Sequence, residues 1–193
     1  LAGGEIAAVL VEPVQGEGGV VPAAPGFLRF LRDACDRHGA LLVLDEIQCG
    51  MGRTGELFAH TAEGVVPDAM SLAKALGCGF PIGALLVGER LAETLGVGAH
   101  GTTFGGNPMA AAVARVALRK LGSAEVLGNV HRQSTVLRDA LQGIGTEHGL
   151  FADVRGRGLM LGAVLAPAFA GRAGEVLDHA ADAGLLLLQA GPD

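Results

Sequence analysis

Short apolar runs alternate with a helical pattern at the start of the chain. The runs IAAVLVEP (6–13) and ALLVLDE (40–46) are too uniformly apolar for a surface strand. Between them, PGFLRFLRDACDRHG (25–39) repeats apolar residues at helical spacing, with Pro25 suited to its start and Gly39 to its end. The pattern predicts a strand, helix, strand unit.

Two further apolar runs, DAMSLA (68–73) and IGALLV (82–87), predict more strands. Since none of these strands alternates apolar with polar residues, we expect a sheet covered on both faces. Asn107 and Pro108 then favour the start of a helix, because Asn caps well and Pro fits the first turn. The first part of the chain is predicted to be an α/β domain.

The pattern changes near residue 122. Residues 124–148 predict a long helix with a polar face, VRGRGLMLGAVLA (154–166) a strand pair, residues 172–183 a helix and LLLLQ (185–189) a strand. This order indicates the start of a second, smaller α+β domain.

Composition excludes several classes of protein. Half of the 193 residues are hydrophobic, so the chain can bury a large core, yet no apolar run approaches the roughly 20 residues of a membrane-spanning helix. The net charge is −6 with scattered basic residues, which argues against nucleic acid as a partner. Three cysteines without metal-type spacing indicate a reducing compartment, and we expect the cytoplasm. The six dispersed histidines predict no metal site.

The two chain ends lie close to predicted strands. A strand-like run begins a few residues after Leu1, and another precedes the last residue, Asp193. We therefore expect the sequence to be an internal piece of a longer chain.

The stretch LLVLDEIQCGMGRTG (41–55) ends an apolar strand in Asp45 and Glu46. A carboxylate at a strand end can hold magnesium for a nucleotide triphosphate, or it can serve an organic cofactor. The first interpretation needs a phosphate-binding GxxxxGK[ST] loop, and the 193 residues contain none. This absence makes nucleotide hydrolysis the weaker hypothesis.

Only two of the 14 basic residues are lysines. Lys120 falls at a helix C-terminus, where a cation interacts favourably with the helix dipole. Lys74 instead follows the apolar DAMSLA and precedes the glycine-rich LGCGFPIG. We expect its amine to be desolvated at a buried strand end, where a lysine can act as nucleophile and proton carrier.

A lysine that binds an aldehyde and a strand-end carboxylate are two parts of a pyridoxal phosphate site. The blocks EPVQGEGG, LLVLDEIQCGMGRTG, SLAKALGCGFPIGA and HGTTFGGNP, in this order, resemble the signature blocks of the class III, or ornithine-type, pyridoxal-phosphate aminotransferases. The resemblance implies the α/β aminotransferase fold of type I, with a mostly parallel central sheet covered by helices. Residues 1–122 would be part of the large cofactor-binding domain and 123–193 part of the small C-terminal α+β domain.

The resemblance also implies roles for residues near the cofactor ring. Lys74 is implied to bind the cofactor as a Schiff base and then to move a proton between the substrate and the cofactor. Asp45 is implied to pair with the ring nitrogen, and Gln48 to donate a hydrogen bond to the ring oxygen. Thr103 is implied to contact the cofactor phosphate of the neighbouring subunit of a homodimer, with Thr102 as the competing candidate.

Two glutamates are implied to act on the substrate. Glu17 resembles the family's gate glutamate, which releases an arginine so that the arginine can bind the substrate carboxylate. Glu12 resembles an active-site carboxylate in a hydrogen-bonded network, and a solvated turn is the alternative for both. We expect Cys49 and Cys78 to be small apolar fillers beside the site.

The implied reaction moves an amino group from a small-molecule donor to 2-oxoglutarate. The δ-amine of N-acetylornithine is the favoured donor, with a place in arginine biosynthesis, and ornithine, succinylornithine and 4-aminobutyrate are the alternatives. A catalytically inert fragment of such an enzyme is the remaining hypothesis.

Overall fold

The structure, a computed structural model, describes residues 3–94 and 96–191. The terminal residues Leu1 and Asp193, on which the expectation of a cut chain rests, lie outside them. The strands are β1 (Ala8–Val11), β2 (Val14–Gln15), β3 (Val21–Pro22), β4 (Leu41–Asp45), β5 (Ala69–Leu72), β6 (Ala84–Val87), β7 (Phe151–Arg157) and β8 (Met160–Leu165). The helices are α1 (Phe27–His38), α2 (Pro108–Leu121), α3 (Ala124–His148) and α4 (Ala173–Asp182).

The main sheet has the strand order β1-β4-β5-β6. Neighbours β1, β4 and β5 run parallel, and β6 is antiparallel to β5. The α/β class and the mostly parallel sheet predicted from the sequence are confirmed. The register places Asp45 of β4 opposite Ser71 of β5, so the carboxyl ends of these two strands meet at one edge.

Helix α1 covers β1 and β4 because its apolar residues recur on one face. Leu28 and Cys35 are fully buried against Leu42 and Leu44 of β4. The helix ends at Gly39, whose φ of 69° lies in the left-handed region that favours glycine. This confirms the strand, helix, strand unit predicted over 6–46.

The prediction that the sheet is covered on both faces is wrong for the described residues. Burial alternates along β4, with Leu42 and Leu44 fully buried and Val43 and Asp45 half-buried. On the neighbouring strands that share the face of Val43 and Asp45, Leu10 is 69% exposed and Leu85 57% exposed. Apolar composition alone did not show which face the chain's own helices cover.

Helix α2 packs on β5 and begins as the sequence predicts. The side chain of Asn107 accepts a hydrogen bond of 2.9 Å from the Ala110 N–H, and Pro108 occupies the first turn. Ala117 lies in one cluster with Met70 and Leu72 of β5. The strand and the helix that flank residues 73–107 therefore pack against each other.

The second part of the chain contains α3, the β7–β8 hairpin and α4. The guanidinium of Arg138 on α3 donates hydrogen bonds to the carbonyls of Val154 at 2.8 Å and Gly156 at 2.9 Å, which holds β7 on the helix. The strand predicted at 185–189 is wrong, since Leu186 is 89% exposed and no described strand pairs with this segment. Apolar character alone does not make a strand without a partner.

Over the described residues, no helix is both long and apolar enough to cross a membrane.

Candidate active site

Asp45 and Lys74 follow neighbouring parallel strands. Asp45 ends β4 opposite Ser71, and Lys74 comes three residues after Ser71. Ligand sites of open α/β sheets lie at such carboxyl ends. The Asp45 carboxylate is half-buried and accepts a hydrogen bond of 2.9 Å from the Ile47 N–H, which starts a tight turn.

Glu46 anchors this turn through its side chain. Its side chain is buried, and one oxygen accepts the Ala59 N–H at 2.7 Å. The other accepts the His60 N–H at 2.9 Å and lies 2.6 Å from Nδ1 of the same histidine. Glu46 therefore positions the turn that carries Asp45 and Gln48 and does not face the site.

Lys74 begins a short 3-10 turn, Lys74–Leu76, with φ at 38°. Its side chain is exposed. Among the described residues, the prediction that the Lys74 amine is desolvated is therefore wrong. The reason is that the following stretch is rich in glycine and covers little. Gly77 is needed there, because a Cβ would overlap the Phe80 carbonyl.

A cavity of about 670 Å³ lies beside this edge, a size typical of small-molecule sites. Gln48 and Lys74 both line it, whereas Asp45 is not part of its wall. Arg53, Cys78 and two glycines also line the cavity. Apolar residues from both parts of the chain form the rest of the wall: Ile47, Met51, Ala75, Leu121, Val126, Val130, Leu159, Met160 and Leu188. The contribution of the second part carried no signal in the sequence.

Glu12 and Glu17 belong to the β2–β3 hairpin. The half-buried carboxylate of Glu12 accepts the Gly16 N–H at 2.9 Å, which holds the base of the turn. Glu17 is exposed, and its carboxylate accepts a hydrogen bond of 3.0 Å from the Gln48 side-chain amide. A Cβ at Gly16 would overlap that amide, so the hairpin packs directly against Gln48.

Thr102 and Thr103 lie apart from this group. Both are exposed in the loop before α2, and neither lines the cavity beside Lys74. The structure therefore brings Lys74, Gln48 and Glu17 to one place and leaves the threonines outside it.

The two cysteines near the site differ. Burial, reinforced by the nearby Glu46 carboxylate, raises the pKa of Cys49 to about 12, so this thiol is an inert filler. Cys78 is exposed at the cavity rim, and its interpretation as a filler is wrong. The described residues contain no group of three or more histidines, cysteines and carboxylates that could hold a metal ion.

The residues present fit pyridoxal phosphate by their chemistry. The cavity wall offers an amide donor for a ring oxygen and an accessible amine for an aldehyde, and a strand-end carboxylate suited to a protonated ring nitrogen lies at the adjacent sheet edge. The cavity volume of about 670 Å³ lies within the range of small-molecule and cofactor sites.

Comparison with known proteins agrees with this chemistry. All of residues 1–193 match the family Aminotransferase class-III. The chain is 69% identical over its whole length to the acetylornithine aminotransferase of Xanthomonas axonopodis pv. citri (strain 306), covering 47% of that protein. It therefore spans about half the length of the curated relatives that it matches.

Solved structures agree. The crystal structure of N-acetylornithine aminotransferase from Stenotrophomonas maltophilia K279a is 64% identical with a TM-score of 0.92, over 100% of this chain and 50% of that one. Ornithine aminotransferase from Toxoplasma gondii, with partial occupancy of pyridoxal phosphate at its active site, is 35% identical with a TM-score of 0.91, over 98% of this chain and 45% of that one.

The fold, the group of site residues and the family match over the full length agree with one another. The chain belongs to the class-III family of aminotransferases.

Proposed function

We propose that the protein moves the δ-amino group of N-acetylornithine to 2-oxoglutarate, giving N-acetylglutamate semialdehyde and glutamate. The observation that supports this most is the position of Asp45 and Lys74 at the carboxyl ends of adjacent parallel strands, beside a cavity of about 670 Å³. The similarity to acetylornithine aminotransferases, at 69% identity over the whole chain, favours this donor over the alternatives.

Pyridoxal phosphate, when bound, supplies an acceptor for the electrons of the substrate carbanion. Lys74 would hold the aldehyde carbon through its amine, and the same amine, once free, would take a proton from the substrate carbon that carries the transferred nitrogen. Asp45 would keep the ring nitrogen protonated, because a carboxylate favours the charged form of a nearby base. Gln48 would donate its amide N–H to the ring oxygen.

Glu17 and Glu12 would control the substrate side. Glu17 is exposed at the tip of the hairpin and accepts a hydrogen bond from Gln48, so its carboxylate is free to pair with a cation brought beside Gln48 and to release it. Glu12 holds the base of the same turn through the Gly16 N–H. In this proposal Glu17 shields a carboxylate-binding arginine while the amino donor reacts and releases it for 2-oxoglutarate.

We infer a homodimer in the cytoplasm, with Thr103, or its neighbour Thr102, contacting the cofactor phosphate of the partner subunit. The exposure of both threonines away from Lys74 supports a role at another subunit's site. The change of element pattern between α2 and α3 supports a division into a cofactor-binding part over 1–122 and a smaller part over 123–193.

A donor panel tests the substrate. The complete gene product, loaded with pyridoxal phosphate, is assayed with 2-oxoglutarate and N-acetylornithine, succinylornithine, ornithine or 4-aminobutyrate in turn. We expect the largest kcat/KM for N-acetylornithine. A larger value for 4-aminobutyrate would overturn the donor, and magnesium-dependent ATP hydrolysis lost in Asp45→Ala would overturn the reaction class.

Lys74→Ala tests the catalytic centre. It should abolish the visible absorption band of the lysine-bound cofactor and lower kcat by roughly a thousandfold, because the proton carrier is lost. Lys120→Ala, which removes the exposed lysine at the end of α2, is the matched control. It should keep both the absorption band and the wild-type kcat. A band in the complete gene product that is missing from the 193-residue chain alone would favour the inert-fragment hypothesis for this chain.

A further inference from the structure

The second part of the chain holds the Glu17 turn through Arg155. Arg155 lies on β7, 136 residues along the chain from the turn, and its Nε donates a hydrogen bond of 2.8 Å to the Gly19 carbonyl. The guanidinium also packs closely against Gly19, because a Cβ added there would be 2.6 Å from Nη2. We propose that Arg155 is a positioning residue for Glu17 and links the β7–β8 hairpin to the substrate gate.

Several backbone features converge on the same turn. The N–H groups of Gly19 and Val20 both donate to the Gly16 carbonyl, at 3.1 and 3.0 Å. Gly19 has φ at 105° and Val20 has φ at 53°, and the latter is a strained conformation for a β-branched residue. A strained turn persists only when its surroundings hold it in place. Arg155 supplies one such contact.

Strand β8 supplies a second contact. A Cβ at Gly162 would be 2.9 Å from the Val20 side chain, so this strand fits against the turn only with glycine. Gln48 supplies a third contact, through Glu17 and the close approach of Gly16. The turn is therefore held between the cofactor side and the second part of the chain, while the Glu17 side chain stays exposed.

This geometry gives Arg155 a specific effect on the reaction. Without its bond to Gly19, the turn loses its hydrogen bond to β7, and Glu17 is held less firmly beside Gln48. Under the proposed function, on which this inference rests, a displaced Glu17 shields the carboxylate-binding arginine less well. The amino-donor half-reaction, which needs the shielding, then suffers more than the 2-oxoglutarate half-reaction.

Arg155→Gln, made in the complete gene product, tests the proposal with two measurements. Hydrogen exchange, which does not depend on activity, should show the amides of Gly19 and Val20 exchanging about tenfold faster, with β4 unchanged. In the loaded enzyme, kcat/KM for the amino donor should fall about tenfold relative to that for 2-oxoglutarate. Arg157→Gln removes the same charge from the same strand and is the matched control.

Arg155→Lys should retain much of the slow amide exchange and of the kcat/KM ratio, because an ammonium can still donate to the Gly19 carbonyl. If Arg155→Gln does not fold, Arg155→Lys is compared with Arg157→Gln instead. The exchange rates and the kcat/KM ratio of Arg155→Lys should then change less, but in the same direction. Exchange and kinetic ratios equal to those of the control would overturn the proposal, as would an equal loss in both half-reactions. Absence of amino transfer from every donor would instead overturn the proposed function, and the exchange data would still decide whether Arg155 holds the turn.

Discussion

Glu46 shows how a residue can matter to a site that it does not touch. Its buried carboxylate accepts two backbone N–H groups and contacts the His60 ring, and so joins the Asp45 turn to the segment around Ala59. A buried acceptor that loses its charge leaves its donors poorly paired, at a cost well above that of an exposed bond.

Glu46→Gln is therefore expected to destabilise the cofactor-free protein by about 2–4 kcal/mol. An amide cannot accept every bond at this site, because its NH₂ group faces donors. Glu56→Gln, an exposed change in the same loop, is the control and should stay within about 0.5 kcal/mol of the wild type. Urea unfolding of the two variants measures the difference, and equal midpoints would show that Glu46 anchors nothing.

The sequence predicts part of the candidate site because that part is local. Asp45, Gln48 and Lys74 fall in two short motifs at the ends of adjacent parallel strands, and such ends meet at one edge of a sheet. The exposure of Lys74 and the contact from Arg155 to Gly19 could not be predicted in this way. They depend on which distant segments pack nearby, and no local pattern records that.

Asp68 connects three elements at the N-terminal end of β5. Its carboxylate accepts the Leu42 N–H of β4 at 2.8 Å and pairs with Arg32 of α1 at 2.8 Å, and Arg90 approaches to 3.4 Å. Burial alone would raise the pKa of Asp68, but the Leu42 N–H and the Arg32 guanidinium outweigh it and hold the pKa below its usual value.

The sign of the resulting pH dependence follows from linkage. Because the folded-state pKa is below the unfolded one, Asp68 stabilises the fold above the unfolded pKa of about 4 and loses this contribution as the pH falls through its folded pKa. The free energy of unfolding of Asp68→Asn should thus fall furthest below that of the wild type near neutral pH. This difference should shrink below a pH of about 4. Asp33→Asn, an exposed change on α1, is the control. Urea unfolding at several pH values gives the comparison, and a difference that grows in acid would contradict the assignment.

Elements with their own start and stop signals could be predicted, and those that need a partner could not. Helix α2 has Asn107 and Pro108 at its start, and α1 has Gly39 at its end. The segment 185–189 carries strand-like apolar residues but pairs with no described strand. Pairing across a sheet is a property of two segments, so one apolar run is not sufficient evidence for a strand.

At the scale of the whole molecule, the proposed role of the exposed threonines depends on how two subunits would share a site. Lys74 and Gln48 line one cavity, whereas Thr102 and Thr103 lie outside it in the loop before α2. If Thr103 acts in the partner's site, each active site of the proposed dimer takes its lysine from one subunit and its threonine from the other. A two-fold symmetric dimer would then contain two such shared sites at its single interface.

Complementation between two defective subunits tests this arrangement. A heterodimer of Lys74→Ala and Thr103→Ala subunits, isolated with two different affinity tags, would have one intact site and one doubly defective site. It should show roughly half of the wild-type activity at limiting pyridoxal phosphate, where each parent homodimer is poorly active. Replacing Thr103→Ala by Thr102→Ala identifies which threonine is used. If Thr103 contacts the phosphate, the Thr102→Ala homodimer should remain active by itself. If Thr103 serves its own subunit, each site of the mixed dimer carries one defect, and the heterodimer is no more active than the mean of its parents.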